Sequence, residues 1–313
     1  MTEGKTVKKT RGSLLGEVSS ICMLGLTLVF GLLLSGEVSE YVKEGMRLAV
    51  GCVIPSSFPF MIISDIYVAY GSPENLRLLG MIFSRAFGIS ESGLGAFICG
   101  NVGGFPIGAK MCADAYASGA LDKREAERLI PLSNNPSCAF VIGGVGIGMW
   151  GDIRVGFVLL ISVYLATVIC GVVTRDKLNK NDFIYNNVRQ NYSLVESVKK
   201  SGSSSVSIIS FICLFSVACG VIKKRIKNAF LLYPIYSILE VTNAVKILSV
   251  SSDFSPVLRL SICAFALGFG GISVGMQSSF FVSQAGLKMK NYYLVKLLEG
   301  LLAGSISSLI YQI

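Results

Sequence analysis

A short glycine motif occurs twice in this chain, each time within an apolar stretch, and the first copy contains a lysine. The copies are GGFPIGAK at residues 103–110 and GGISVGMQ at residues 270–277. A charged side chain at membrane depth costs about 2.5–3.5 kcal/mol and persists mainly where it faces a cavity or a partner. We therefore expect Lys110 to face a substrate path, and an ammonium group beside freed helix-end amides favours an anion. If the motif lies nearer the membrane interface, Lys110 instead extends its ammonium group to the headgroups.

Two carboxylates hold corresponding positions upstream of the two glycine motifs. Asp65 and Glu240 each stand six residues after a proline in an apolar run. Both are candidates for binding a coupling proton or cation, or for pairing with Lys110 when no substrate is bound. Glu240 is the stronger candidate because Asn243 extends it into a polar Glu-Val-Thr-Asn cluster.

Uncharged polar side chains near the same segments can donate and accept hydrogen bonds, which suits the orientation of a carboxylate or a ring heteroatom. For each of them, helix capping or bonding between helices is an equally open role. The predicted substrate site combines these side chains with the charged residues and with glycines at helix breaks, which free backbone amides. Its members are Lys110, Asn101, Asn134, Asn135, Gly104, Gly108, Glu240, Asn243, Gly271, Ser273 and Gln277.

The elements that must position these residues are membrane helices. Hydrophobic residues make up 52% of the 313 and charged residues 15%, and the mean hydropathy is +0.64. A helical span needs roughly 20 mostly apolar residues. We predict an all-α polytopic membrane protein in which residues 18–34 form an anchor that stays on the mature chain. Spans are expected at residues 18–34, 48–70, 153–173, 206–222, 229–248 and 294–311.

Glycines at four positions recur 167 residues later, which predicts two internal repeats. The pairs are 103 and 270, 104 and 271, 108 and 275, and 119 and 286. We expect the repeats to be inverted, each with a broken helix and a re-entrant helical hairpin. Asn134 and Asn135 have no polar counterpart at this offset, so we expect the two repeats to have different functions.

The chain divides into four predicted parts. Residues 1–47 hold the basic N-terminus, the anchor and an amphipathic piece, and residues 48–173 hold the first repeat. A polar loop at 174–205 links it to residues 206–313, which hold a linking span and the second repeat. In the first repeat we expect prolines at 55 and 59 to kink or unwind a helix, and residues 121–128 to form an interfacial helix.

The net charge is +9, and the basic residues gather in segments that flank the apolar runs. Membrane orientation explains this excess, and no basic module with interleaved aromatic residues points to nucleic acid. The chain contains no histidine. This absence removes the usual proton carrier, serine-activating base and metal ligand, so we expect neither an enzyme nor a metal site nor a cofactor.

Four motifs in order carry a resemblance to a known family: GFPIGAK at 104–110, SNNPS at 133–137, LEVTN at 239–243 and GFGGISV at 268–274. With them the chain resembles sporulation integral membrane proteins of the YlbJ/SpoVV type over residues 48–313. That family carries a nucleoside-recognition, or Gate, domain and is similar to concentrative nucleoside transporters. The resemblance implies passage of dipicolinic acid, a small aromatic dicarboxylate, across the outer forespore membrane of an endospore-forming bacterium.

The expected function is therefore a permease for a small organic anion, with the lipid bilayer around it and a homo-oligomer or a membrane partner as open possibilities. A gate or assembly subunit of a larger membrane complex is the first alternative. A nucleoside-type transporter is the second.

Overall fold

The structure is a computed structural model that describes residues 35–70, 86–176 and 193–312. Within these ranges the chain is mostly helical and has no strand. Within them, five helical stretches are long and apolar enough to cross a membrane, which confirms the all-α polytopic fold. They are Gly36–Ile63, Ile153–Val173, Leu194–Arg225, Pro256–Gln284 and Tyr292–Gln312. The anchor predicted at 18–34 lies outside the described residues.

The first half of the chain contains two continuous helical stretches separated by shorter elements. Helix α1 (Ser35–Leu48) continues through a π-helical segment, π1 (Ala49–Val53), into α2 (Ile54–Tyr70). Two short helices follow, α3 (Glu91–Gly103) and α4 (Ile107–Ala117). Then come α5 (Lys123–Ser133), a longer π-helix, π2 (Ala139–Met149), and α6 (Ile153–Val173).

The second half is helical from residue 194 to residue 312, with short breaks. Helix α7 (Leu194–Arg225) is followed by two short helices, α8 (Ala229–Leu239) and α9 (Val241–Val250). Helices α10 (Pro256–Phe269) and α11 (Gly271–Gln284) follow, and α12 (Tyr292–Gln312) ends the fold.

Helices α3 and α4 form a hairpin that is too short to cross a bilayer. They contain 13 and 11 residues, or about 20 and 17 Å at roughly 1.5 Å per residue, against a hydrocarbon core of about 30 Å. The two helices pack against each other. This is the arrangement expected for a re-entrant hairpin.

Helices α8 and α9 repeat that arrangement, which corrects the span predicted at 229–248. They contain 11 and 10 residues and separate at Glu240, whose backbone is extended. Pro234 lies inside α8 and does not end it. The membrane-crossing stretch Pro256–Gln284 had not been predicted, because its glycine pair reads as an interruption.

Three other expectations differ from the structure. The prolines at 55 and 59 do not break the chain's helical path: π1 leads directly into α2, and the hydroxyls of Ser56 and Ser57 both donate to Val53 O at 2.9 Å. The second part of the predicted linker loop, residues 194–205, is the start of α7. The predicted interfacial helix is α5, which is longer than expected and packs against α3, α4 and α12.

The order of elements in the two halves is the same: a short hairpin, a helix interrupted midway, and a continuous span. The hairpin breaks at Gly104 and Glu240 are 240 minus 104, or 136, positions apart. The mid-helix breaks at Asn134 and Gly270 are also 136 positions apart, 270 minus 134. The predicted offset of 167 residues pairs the break of the first hairpin with the break in the second interrupted helix, which are different elements. An offset of 136 residues pairs like elements, and we propose the two-repeat organisation with this offset.

Buried apolar side chains form two clusters that meet near the helix interruptions. The first is centred on α3, α4 and α5, and the second on π2, α6 and α8 to α12. Val53 packs against both clusters. The boundary between the two clusters is therefore formed by elements of both halves of the chain.

Candidate functional site

Four helix interruptions meet in the interior of the bundle. They separate α3 from α4 at residues 104–106, α5 from π2 at 134–138, α8 from α9 at 240, and α10 from α11 at 270. An interrupted helix leaves backbone amide and carbonyl groups without their usual partners. Such groups are tolerated inside a membrane protein only where protein or a water-filled cavity surrounds them.

The first two interruptions are in direct backbone contact. A Cβ atom on Gly104 would lie 2.8 Å from Ser137 N, and one on Gly108 would lie 1.9 Å from Ser133 O. Gly104 also has a φ of +87°, which side-chain-bearing residues rarely adopt. These two glycines, predicted to bind substrate, bring the backbone of the α3–α4 hairpin against the α5–π2 break.

The other two interruptions also meet, and an aromatic ring joins them to the first pair. A Cβ atom on Gly271, whose φ is +80°, would lie 3.0 Å from Leu239 O and 3.2 Å from Glu240 N. A Cβ atom on Gly270 would lie 3.2 Å from Cε1 of Phe105, at the tip of the α3–α4 hairpin. All four breaks thus form one contact cluster.

A small cavity of about 30 Å³ lies among these breaks, with room for one or two water molecules. Its walls include parts of both hairpin tips and of both interrupted helices. The side chains that give it polar or aromatic character are Ser56, Ser57, Phe105, Ser137, Phe140, Glu240, Thr242 and Gln277.

Helix N-termini near this cavity bring partial positive charge to its surroundings. Helix α4 begins after Pro106 and α11 after Gly270, and neither N-terminus has a side-chain cap. The N-terminus of α9 is already occupied, because the Glu240 carboxylate accepts hydrogen bonds from Thr242 N at 3.0 Å and Asn243 N at 2.6 Å. Glu240, 1% exposed, is also the charged side chain in the cavity wall.

Lys110 is buried, but its ammonium group points into an ion cluster and does not line the cavity. Its Nζ donates to Asp65 Oδ1 at 2.5 Å and to Asp114 Oδ2 at 2.7 Å. Ser197 of α7 donates to the other oxygen of Asp65 at 3.0 Å, and Lys200 Nζ lies 3.6 Å from Asp114. Lys110 therefore lies neither on the wall of this cavity nor at an exposed position, and its role in substrate binding stays a prediction. Of the two roles weighed for Asp65, the structure has the pairing with Lys110.

The asparagines predicted for the site bond to neighbouring helices, which is the alternative role considered for them. Asn134 Nδ2 donates to Ser278 Oγ and to Tyr292 Oη, both at 2.8 Å. Asn135 Nδ2 donates to Asn101 Oδ1 at 2.9 Å. These bonds fix the α5–π2 break against α3, α11 and α12.

The remaining predicted residues lie on the second half's side of the cavity. Gln277 lines the cavity, and its Nε2 donates to Ser273 Oγ one turn earlier at 3.1 Å. Asn243 Nδ2 donates to Glu240 Oε2 at 2.7 Å and to Ser216 Oγ of α7 at 2.8 Å. Among the described residues, no group of three His, Cys, Asp or Glu side chains could hold a metal ion.

A fully buried ion pair beside the α5–π2 break had not been predicted. Lys296 Nζ lies 2.9 Å from Glu299 Oε2, and both side chains are 0% exposed. The same ammonium group donates to Asn135 Oδ1 at 2.6 Å and to Asn134 O at 3.1 Å. The available signal was a pair of opposite charges three residues apart, hence on one helix face, in an otherwise apolar run.

Comparison with known proteins gives one informative relative. No family model matches the chain, and no solved structure matches it. The chain is 25% identical, over 317 residues, to the sporulation integral membrane protein YlbJ of Bacillus subtilis (strain 168). The alignment covers 87% of this chain and 77% of YlbJ. The similarity confirms the predicted resemblance to the YlbJ type and, with the five apolar helices, an integral membrane protein of several spans.

Proposed function

We propose that this YlbJ-type sporulation membrane protein is a transporter whose substrate binds where the four helix interruptions meet. The observation that carries the proposal is the convergence of both hairpin tips and both interrupted helices on one buried cavity. Transporters commonly bind solutes at such places, because half-helix ends offer partial charges and unpaired backbone groups to a ligand. A purely structural bundle has no need for four interruptions in contact.

The conformation described is closed to any solute of useful size. A one-ring molecule needs a cavity of roughly 150 Å³, and the cavity here is about 30 Å³. Binding therefore requires the first hairpin tip to move away from the hairpin and the interrupted helix of the second half. The Phe105–Gly270 contact is a side chain against a backbone, so it can open by movement of one ring.

Dipicolinate is the first substrate to test, and the outer forespore membrane is the proposed location. Both come from the family resemblance, and the sporulation relative supports the setting. Two uncapped helix N-termini at the cavity, those of α4 and α11, favour carboxylate groups. The buried carboxylate of Glu240 works against a dianion, so binding would depend on these N-termini.

A nucleoside-type solute is the second candidate, and Glu240 is the observation that favours it. A carboxylate accepts hydrogen bonds from sugar hydroxyls and base N–H groups, and Gln277 can both donate and accept. Phe105 and Phe140 in the cavity wall offer apolar faces to a ring. Neutral solutes also avoid placing two negative charges beside Glu240.

Uptake into proteoliposomes that contain only this chain tests the proposal. We expect saturable uptake of labelled dipicolinate or uridine above that of protein-free vesicles, with one solute strongly preferred. If the chain binds a solute but moves neither, the gate or assembly-subunit alternative is favoured. Spores of a deletion strain should then be assayed for dipicolinate, because the loss of a subunit of a larger membrane complex would still lower the dipicolinate content of the spores.

A further inference from the structure

The ammonium group of Lys296 has the surroundings of a bound metal cation. Its three contacts are all oxygens of different kinds: the backbone carbonyl of Asn134, the side-chain amide oxygen of Asn135 and the carboxylate of Glu299. The distances are 3.1, 2.6 and 2.9 Å. Hard cations select all-oxygen ligand sets that mix carbonyl and carboxylate groups.

The position of this group along the fold is also one that attracts a cation. Asn134 is the C-terminal cap of α5, where the helix stops before the break, and the C-terminal end of a helix carries partial negative charge. In transporters with interrupted helices, unwound carbonyls and half-helix C-termini coordinate the coupling ions. Lys296 lies on another helix, α12, and its ammonium group reaches the C-terminal end of α5.

The surrounding network connects this charge to the mobile parts proposed above. The second oxygen of Glu299 accepts a hydrogen bond from Thr167 of α6. The ring of Phe105, which lines the cavity, lies with its centroid 5.9 Å from Lys296 Nζ, within cation–π range. The ammonium group therefore bridges α12, the α5–π2 break and the α3–α4 hairpin tip at once.

We infer that Lys296 is a tethered cation that takes the place of a dissociable coupling ion. Its role in transport rests on the proposed function, and there it makes uptake independent of alkali-metal gradients. Its role as an occupant of a cation site does not depend on transport. Removing the ammonium group leaves the Glu299 carboxylate and two further oxygens facing a vacated site that an alkali-metal ion can fill.

The test uses the purified full chain in detergent without any solute. Unfolding temperatures are compared in NaCl, LiCl, KCl and choline chloride at equal ionic strength. We expect no alkali-specific effect for the unmodified chain. For Lys296→Ala we expect at least one alkali cation to raise the unfolding temperature by about 5 °C or more relative to choline, because the ion binds only the folded state.

The double variant Lys296→Ala/Glu299→Gln is the control, and it should lose the alkali-specific stabilisation because the carboxylate ligand is gone. Four results would each overturn the inference: alkali-specific stabilisation of the unmodified chain, none for Lys296→Ala, persistence of the effect in the double variant, or failure to recover Lys296→Ala in any salt. None of these measurements involves uptake, so a chain that moves no solute would defeat the proposed function and leave this inference standing.

Discussion

Gly108 and Ser133 lie so close that α4 and the end of α5 touch through their backbones. A Cβ atom on Gly108 would be 1.9 Å from the carbonyl oxygen of Ser133 and 2.3 Å from its carbonyl carbon. No rotamer change can relieve a clash with backbone atoms. The packing of the first hairpin against the end of α5 therefore depends on the absence of a side chain at residue 108.

We expect Gly108→Ala to lower the free energy of unfolding by at least about 3 kcal/mol, because an added methyl group must displace the backbone. Gly202→Ala is the matched control. Gly202 lies within α7 with no atom within 4 Å of its virtual Cβ, so alanine there should be neutral or stabilising by up to about 1 kcal/mol. Thermal unfolding in detergent measures both. Equal stability of the two variants would contradict the close contact.

Replacing Lys110 should test the ion cluster. Lys110→Met leaves Asp65 and Asp114 without their buried partner, and we expect a loss of about 3 kcal/mol, the lower end for a broken buried pair because Asp114 is partly exposed. Adding Asp65→Asn should restore part of this loss in a double-mutant cycle. If Lys110→Met instead keeps full stability and loses only uptake, the ammonium group lies on the substrate path, as expected from its position in the glycine motif.

Glu240→Gln separates the two proposed substrates. The amide keeps one oxygen to cap α9, so the stability cost should stay near 1 kcal/mol. Removing the negative charge should improve dipicolinate binding by about tenfold. A nucleoside should bind about tenfold more weakly, since it loses a charged acceptor for its donors. Dissociation constants for both solutes decide the matter, and unchanged values for both would remove Glu240 from the binding site.

Gln277 should contribute to solute binding where Gln284, on the same helix, does not. Gln277 lines the cavity and is 4% exposed, and Gln284 is exposed at the end of α11. We expect Gln277→Leu to reduce uptake about tenfold, the loss of one solute hydrogen bond of about 1.4 kcal/mol. Gln284→Leu should leave uptake unchanged. Equal uptake by the two variants would place the binding site elsewhere.

The interruption at Gly104 could be predicted because its cause is local. Two adjacent glycines followed by Phe-Pro disfavour a continuous helix wherever they stand. Glu240 could also be singled out locally, as a candidate for binding substrate or a coupling ion, because it begins a polar Glu-Val-Thr-Asn cluster in an apolar run. In the structure the Glu240 carboxylate caps the N-terminus of α9.

The burial of the Lys296–Glu299 pair could not be predicted by local rules, although the spacing of the two charges could be read. Both charges fall in a run whose average hydropathy marks a span, and their burial depends on Asn135, which is 161 positions away in sequence. The sequence leaves the partner of Lys110 open for a related reason. A helix presents side chains all around its axis, and only the packing of α2 and α7 decides that this one meets Asp65.

The glycine register was misread because one sequence pattern serves two structural purposes. Gly104 ends the first helix of a hairpin, and Gly270 ends the first half of an interrupted helix. Both need a positive φ, and both are therefore glycine. Matching residue types aligned these two positions, whereas matching the order of elements aligns Gly104 with Glu240.

The contact of Gly271 with Leu239 and Glu240 has a mechanical consequence. Where two backbones touch with no side chain between them, neither can slide without breaking the fit, so α8–α9 and α10–α11 are expected to travel as one piece. The first hairpin meets that piece through the ring of Phe105, which can swivel. We therefore expect a path for a solute to open at the contact between Phe105 and Gly270. The first hairpin would move there, and the second half of the molecule would stay rigid.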